Sequence, residues 1–336
     1  MRIEEYVPFA QLTTFKVGGL VRYVITCESE SDIREALAFA SEREFPWVVL
    51  GEGSNVLPYD DAYEGVVLRI RIPGITYAEQ DGVVYVTAGA GVHWDTLVDE
   101  VCDRDLWGIE NLAGIPGTVG ATPVQNVGAY GVETMHVFHC ARVLNAVTGL
   151  VETYDHTACK FGYRDSIFKL RKELVILDVT FKLLRNGVPK IGYSDLARAA
   201  ANGEDMETPK RIAQVVRRIR SEKFPDLQKF GTAGSFFKNP LLTQAAFKKL
   251  TDVYGAVPSF SAGEYVKVPL AFILDHILNL RGYSEGHVHL FGNQPLVVVA
   301  ERGATAREID MFANTIAARV RNVTEIEIER EVKKFP

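Results

Sequence analysis

The chain has 336 residues, 47% hydrophobic and 24% charged, with 37 basic against 43 acidic side chains and a formal charge of −6. These shares exclude a disordered or collagen-like chain, and the acidic balance argues against a nucleic-acid surface. No uncharged apolar run reaches the ~18 residues that cross a bilayer, which argues against a membrane partner. The opening Met1-Arg2-Ile3-Glu4 lacks the apolar core of a secretory signal, and Cys27, Cys102, Cys140 and Cys159 form no CxxC pair, so reduced thiols and a cytoplasmic location are expected.

Residues 21–26 alternate as a strand, and Ile33, Ala36, Leu37 and Ala40 give 31–45 a helical period. Trp47–Leu50 is a short buried-strand run that stops at Gly51-Glu52-Gly53-Ser54-Asn55. Strands are predicted at 66–70, 83–87, 137–144 and 174–183. Trp94, Leu97, Val98 and Val101 place a helix over 93–103. Thr208-Pro209 supplies a cap and a first-turn proline for a helix to about residue 222. Phe224-Pro225-Asp226 ends that helix and marks a domain boundary. Beyond it the pattern predicts helices over 241–250 and 269–280, then a strand at 296–300. A helix over 305–320 carries capping-box spacing at Thr305 and Glu308 and a stripe of Ile309, Phe312, Ala313, Ile316, Ala317 and Val320. An alternating strand is predicted at 325–333. This is an α+β chain, expected to divide into 1–72, 73–224 and 225–336.

Two glycine-dense loops carry the functional signal. Gly51–Asn55 is one, and residues 114–131, with glycines at 114, 117, 120, 128 and 131, are the other. Glycine admits positive φ and close approach of main chain to a ligand, so both loops suit a pyrophosphate. A single short glycine loop is more often only a turn, but a segment as costly in conformational entropy as 114–131 is harder to dismiss. Neither loop reads GxGxxG, and GxxxxGK[ST] is absent, so a Rossmann site and a P-loop are unsupported. Gly282-Tyr283-Ser284-Glu285-Gly286 fits GxSxG, but a helical stretch precedes it and a strand follows, the reverse of a nucleophile elbow. His287 and His289 lack a third ligand for a metal site.

Together the loops resemble those of the UDP-N-acetylenolpyruvoylglucosamine reductase (MurB) family. Its segments occur in family order along nearly the whole chain: Thr13-Thr14-Phe15-Lys16-Val17-Gly18-Gly19, Leu50-Gly51-Glu52-Gly53-Ser54-Asn55, and Gly108-Ile109-Glu110 leading into Gly114-Ile115-Pro116-Gly117-Thr118-Val119-Gly120. Then follow Gln125-Asn126-Val127-Gly128-Ala129-Tyr130-Gly131, Phe161-Gly162-Tyr163-Arg164-Asp165-Ser166, Ala233-Gly234-Ser235-Phe236-Phe237-Lys238-Asn239-Pro240 and Glu329-Arg330-Glu331-Val332. Ile191-Gly192-Tyr193-Ser194-Asp195-Leu196 looks like the tyrosine loop of the family's first type. The resemblance implies a vanillyl-alcohol-oxidase/PCMH-type FAD-binding fold of two subdomains, 1–72 and 73–224 with the tyrosine loop in the second, plus a separate α+β substrate-binding domain, 225–336, that carries the C-terminal catalytic strand.

It also implies an oxidoreductase that uses NADPH and noncovalent FAD to reduce UDP-N-acetylglucosamine enolpyruvate to UDP-N-acetylmuramate in peptidoglycan precursor synthesis, acting as a monomer. Hydride would reach the terminal methylene of an ether that already bears a carboxylate, so the site must offer positive charge where negative charge grows, and then a proton. By resemblance Arg164 is the catalytic arginine, Ser235 the proton donor and Glu331 the essential glutamate. Arg330 stands where the family usually has proline, which keeps Glu329 as an alternative to Glu331. Gly51, Gly53, Ser54, Asn55, Pro116, Gly117, Gly120, Ala121, Thr122, Gln125, Asn126, Gly128 and Arg164 match cofactor positions. Tyr193, Lys223, Asn239 and Lys267 match substrate positions, with Arg220 as a weaker match. The rival readings are another FAD-dependent oxidoreductase of the same fold and a nonenzymatic nucleotide-sugar-binding protein.

Overall fold

The computed structural model describes residues 1–336. Its contacts divide the chain into two compact units, one of Met1–Val7, Val21–Glu52 and Glu64–Arg220, the other of Pro8–Leu20, Gly53–Tyr63 and Ser221–Pro336. No helix is long and apolar enough to cross a membrane.

The first unit holds two sheets. One orders Arg2–Pro8, Leu20–Cys27, Tyr63–Ile70 and Trp47–Leu50, the last two parallel with Trp47 opposite Val66. Parallel pairing suits their unbroken apolar runs, and Val66, Val67 and Leu68 are fully buried. Helix Glu30–Glu42 starts where the Ser29 hydroxyl accepts the Asp32 N–H at 3.1 Å, and it buries Ile33, Ala36 and Ala40. The second sheet is antiparallel and orders Val151–Asp155, Phe138–Asn145, Leu174–Leu184, Val83–Gly89 and Ile75–Gln80. Helix Trp94–Cys102 packs on it through Trp94, whose ring lies 5.7 Å from Phe181 and whose Nε1–H donates to the Leu112 carbonyl at 2.8 Å.

Glu110 is buried beneath this layer, and its carboxylate accepts the Gly108 N–H at 2.6 Å. Burial pushes its pKa up. The folded state therefore keeps a proton that the unfolded chain releases. The stability it contributes is complete below the ordinary carboxylate range and is lost as pH rises through the folded value. Urea unfolding followed upward in pH from the ordinary carboxylate range is expected to show that loss in the parent protein and a flatter profile in Glu110→Gln.

The second unit is built on Phe236, Phe237, Ile309, Phe312 and Val298, all essentially buried. Phe236 meets Phe15 at 6.1 Å and Phe237 at 5.1 Å, both edge-on. A meander of Ser284–Glu285, Val288–Phe291 and Gln294–Ala300 lies in this unit, with a small sheet of Leu241–Leu242, Tyr265–Lys267 and Phe260–Ala262. The GxSxG segment falls in the meander, consistent with its unsuitable context. Helix Ala306–Thr324 carries the expected capping box at Thr305 and Glu308. The Asp60 carboxylate adds a second cap, accepting from the Ala306 and Arg307 N–H groups at 2.8 Å each.

Three elements differ from expectation in this unit. Thr243 caps a helix at Gln244–Tyr254, so Leu241–Leu242 becomes a strand instead of the first helical turn. The helix expected over 269–280 is helical at Leu270–Phe272 and widens to a π-helix at Ile273–Ile277. The alternating stretch 325–333 forms no continuous ladder. Glu325 takes a left-handed cap conformation, Arg330 makes one bridge to Phe237, and regular pairing begins only at Lys333–Phe335, parallel to Val56–Pro58. Its alternation reflects Ile326 and Ile328 packing on the core between exposed glutamates.

Candidate active site

In the first unit the long glycine loop is bound to the strand-to-helix turn ahead of Trp94. Val119 N–H donates to Val92 O at 2.9 Å, Gly120 N–H to Ala90 O at 3.0 Å, and Trp94 N–H to Gly117 O at 2.9 Å. A Cβ on Gly120 would lie 2.7 Å from Ala90 Cβ, and one on Gly51 2.9 Å from Thr118 Oγ1. Glycine at 120 thus lets the loop close on Ala90, and glycine at 51 lets that turn approach Thr118. Glu52 ties the same segments, accepting Gly117 N–H at 3.0 Å and pairing with His93 Nδ1 at 2.6 Å. Asp95 accepts Gly114 N–H at 2.6 Å while Arg217 grips its carboxylate. The N–H groups of Gly114, Gly117 and Gly120 are therefore spent on loop shape. Sequence reading missed Arg71. Its Nη1 is buried with no hydrogen-bond partner and lies within the field of Glu52, an open cationic donor that suits an anionic group such as a flavin nucleotide's diphosphate.

Arg164 is brought to this loop by a tight turn. Gly162 and Asp165 exchange N–H···O bonds of 3.0 and 3.2 Å, and Arg164 between them sits at φ +55°. For a residue with a Cβ that conformation is strained, a cost tolerated mainly at functional positions. Lys169 Nζ bonds the Arg164 carbonyl, and Ser166 Oγ donates to Val124 O at 2.6 Å. The guanidinium donates from Nη2 to Gly128 O at 2.6 Å and is mostly buried. Asn126, fully buried at φ +45°, joins the two loops: its Nδ2 donates to Glu133 Oε2 at 2.8 Å and Gly162 O at 3.0 Å, and its Oδ1 accepts Met135 N–H at 3.0 Å. Arg164, Gly128 and Asn126 thus form one cluster.

Tyr193 caps the N-terminus of helix Ser194–Ala201 and remains 40% exposed. Its ring meets Tyr130 edge-on at 5.3 Å. Burial raises the hydroxyl pKa of Tyr193, and that of Tyr130 to about 12, so both stay protonated donors near neutrality. Arg220 Nε donates to Gly114 O at 3.0 Å, joining it to the glycine loop.

The second unit assembles the other acid–base candidates. Ser235 bridges to Val297, Phe236 N–H donates to Leu296 O at 2.8 Å, and Glu331 N–H donates to Phe236 O at 2.8 Å. Ser235 and Glu331 are therefore fixed on adjoining backbone, both half-buried. Asn55 joins them, its Nδ2 donating to Glu331 O at 3.3 Å and its carbonyl accepting Lys333 N–H at 3.2 Å. Arg330 sets the register by pairing with Asp310 and donating to Asn314 Oδ1 at 2.8 Å. Glu329 instead points outward, paired with Lys238 at 2.9 Å with 77% of its side chain exposed. That geometry favours Glu331 over Glu329. Asn239 Oδ1 accepts Leu270 N–H at 2.9 Å, and Lys267 pairs opposite Leu241, so these two substrate candidates share one corner. Lys223 ends helix Pro209–Lys223. Gln294, on the strand that pairs with Ser235, has a buried Oε1 without a partner. No motif in the sequence had singled it out.

The chain is similar to known proteins along nearly its whole length. Residues 21–154 fit the FAD binding domain profile, and residues 226–335 the profile of the C-terminal domain of UDP-N-acetylenolpyruvoylglucosamine reductase. The UDP-N-acetylenolpyruvoylglucosamine reductase of Amoebophilus asiaticus is 35% identical over 337 residues, covering 99% of either chain. That of Pseudomonas aeruginosa is 36% identical over 336 residues, covering 98% of either. The crystal structure of the Thermus caldophilus reductase superposes with a TM-score of 0.70 over 100% of both chains at 24% identity, a likeness of fold. An FAD-binding α+β fold with a separate C-terminal domain is thus observed as expected, and with identity of this extent along its length the chain belongs to the UDP-N-acetylenolpyruvoylglucosamine reductase family.

Proposed function

We propose that this chain reduces UDP-N-acetylglucosamine enolpyruvate to UDP-N-acetylmuramate at the expense of NADPH, as a cytoplasmic monomer holding FAD noncovalently. The observation that carries the reading is the bond from Glu331 N–H to the carbonyl of Phe236, the residue after Ser235, within the segment that fits the family's C-terminal domain. Gly51, Gly53, Ser54, Asn55, Pro116, Gly117, Gly120, Ala121, Thr122, Gln125 and Gly128 would hold the cofactor, the glycines by allowing its close approach. Asn126 supports them from below. When bound, FAD supplies the relay that accepts hydride from NADPH and delivers it to the terminal methylene of the enolpyruvyl ether.

The chain's own groups handle charge and the proton. Arg164, a permanent cation, grips the carboxylate through two parallel N–H bonds and stabilises the negative charge that grows beside it. Ser235 delivers the proton to the carbon next to the carboxylate, which completes addition across the double bond. A serine hydroxyl does this only in a water-poor site with a strongly basic acceptor. Glu331 orients the substrate or the water that restores the serine proton. Lys223, Asn239 and Lys267 bind the diphosphate, and Tyr193 covers the nucleotide sugar.

Purified protein is expected to be yellow, or to take up FAD stoichiometrically in titration. Colourless protein with no FAD uptake contradicts the proposal. Glu331→Gln is expected to lower turnover by about 100-fold or more, in the range of general acid–base groups. Glu329→Gln, which removes only an exposed ion pair, is expected to stay within about twofold. Steady-state assays of both variants check the assignment, and the reverse pattern would move the role to Glu329.

A further inference from the structure

We propose that Glu133 is a positioning residue for Arg164, aligning its guanidinium for the enolpyruvyl carboxylate; this rests on the catalytic reading of Arg164. Glu133 Oε1 lies 3.6 Å from Arg164 Nη1, while Arg164 Nη2 donates to Gly128 O at 2.6 Å. One contact alone would leave the planar group free to swing about it. Two contacts on different nitrogens fix the plane, the feature that separates a bidentate grip from a point charge.

Glu133 is itself held from two sides. Its Oε2 accepts from Asn126 Nδ2 at 2.8 Å, and the same amide reaches Gly162 O at 3.0 Å, at the base of the turn that bears Arg164. A reciprocal cap with His136 fixes its backbone, with Glu133 N–H donating to His136 Nδ1 at 3.0 Å. Gly128 makes the crossing possible, because a Cβ there would lie 2.7 Å from Glu133 Cγ and 3.0 Å from Arg164 Nη1. The 3.6 Å separation is an ion pair rather than a hydrogen bond. The strained backbone of Arg164 would relax without such restraints.

A double-mutant cycle tests this on holoenzyme already reduced by NADPH and mixed anaerobically with enolpyruvyl substrate. Glu133→Gln is expected to slow that transfer about 10- to 100-fold, as misplacement of a reacting group does, with flavin content and flavin reduction by NADPH within about twofold. In an Arg164→Ala background the same change is expected to add less than about twofold, because its effect runs through the arginine. A wild-type rate in Glu133→Gln, or losses that multiply in the double variant, overturns the positioning role while leaving Arg164 catalytic. A wild-type rate in Arg164→Ala overturns the catalytic reading and the positioning with it. If Glu133→Gln does not fold with flavin, Glu133→Asp, which keeps the charge but withdraws it by one methylene, enters the same cycle under the same criteria.

Discussion

Ser235→Ala is expected to separate the two half-reactions. NADPH should bleach the flavin of this variant at the wild-type rate, while reoxidation by enolpyruvyl substrate should slow by roughly 10²- to 10⁴-fold, the usual contribution of a positioned proton donor. The split follows from placement. Ser235 lies in the segment that fits the family's C-terminal domain, on backbone adjoining Glu331, and belongs to neither glycine loop. Removing its hydroxyl takes away the proton but leaves the cofactor's packing intact. Rapid mixing in two steps measures both rates, and equal losses in both would make Ser235 a structural or flavin-binding residue.

Gly91→Ala is expected to be the most damaging single methyl in the first unit. The new Cβ would sit 2.2 Å from the Arg71 Cα and carbonyl carbon, inside any van der Waals contact and against backbone that cannot rotate away. Overpacking of this kind costs more than about 3 kcal/mol when the obstacle is main chain. Its effect reaches the site, because the neighbouring Ala90 and Val92 carbonyls accept the Gly120 and Val119 N–H groups. Shifting residues 90–92 therefore displaces the glycine loop, and FAD should be lost together with stability. Gly192→Ala is the control: nothing lies within 4 Å of its Cβ position, so a change within about 0.5 kcal/mol is expected. Denaturant unfolding of both, with flavin retention, measures the contrast.

The features legible in the sequence were those set by local chemistry. Trp47–Leu50, the capping box at Thr305 and Glu308, and the proline-led helix Pro209–Lys223 each depend on a few adjacent residues, and each was found where expected. Arg2–Pro8, Ile75–Gln80 and Val151–Asp155 were not anticipated, because these strands are mostly exposed and lack the apolar alternation that announces a buried face. The π-helix at Ile273–Ile277 has no local signature either. At the candidate site, motif matching pointed to Arg164, Ser235 and Glu331 but could say nothing of what holds them. Glu133 meets Arg164 from 31 positions earlier in the chain only because the turn at Gly162–Asp165 folds back onto Asn126. Arg330, which differs from the family's usual residue, proves to anchor its segment to Asp310 and Asn314, so the placement of Glu331 rests on a long-range contact. Arg71 and Gln294 became visible only as buried polar atoms without partners.

The most direct measurement is an anaerobic single turnover: wild-type holoenzyme reduced by one equivalent of NADPH, then mixed with UDP-N-acetylglucosamine enolpyruvate. The proposed function predicts rapid return of the oxidised flavin spectrum with one UDP-N-acetylmuramate formed per flavin. Flavin that stays reduced until oxygen is admitted, with the enolpyruvyl sugar recovered unchanged, would contradict it.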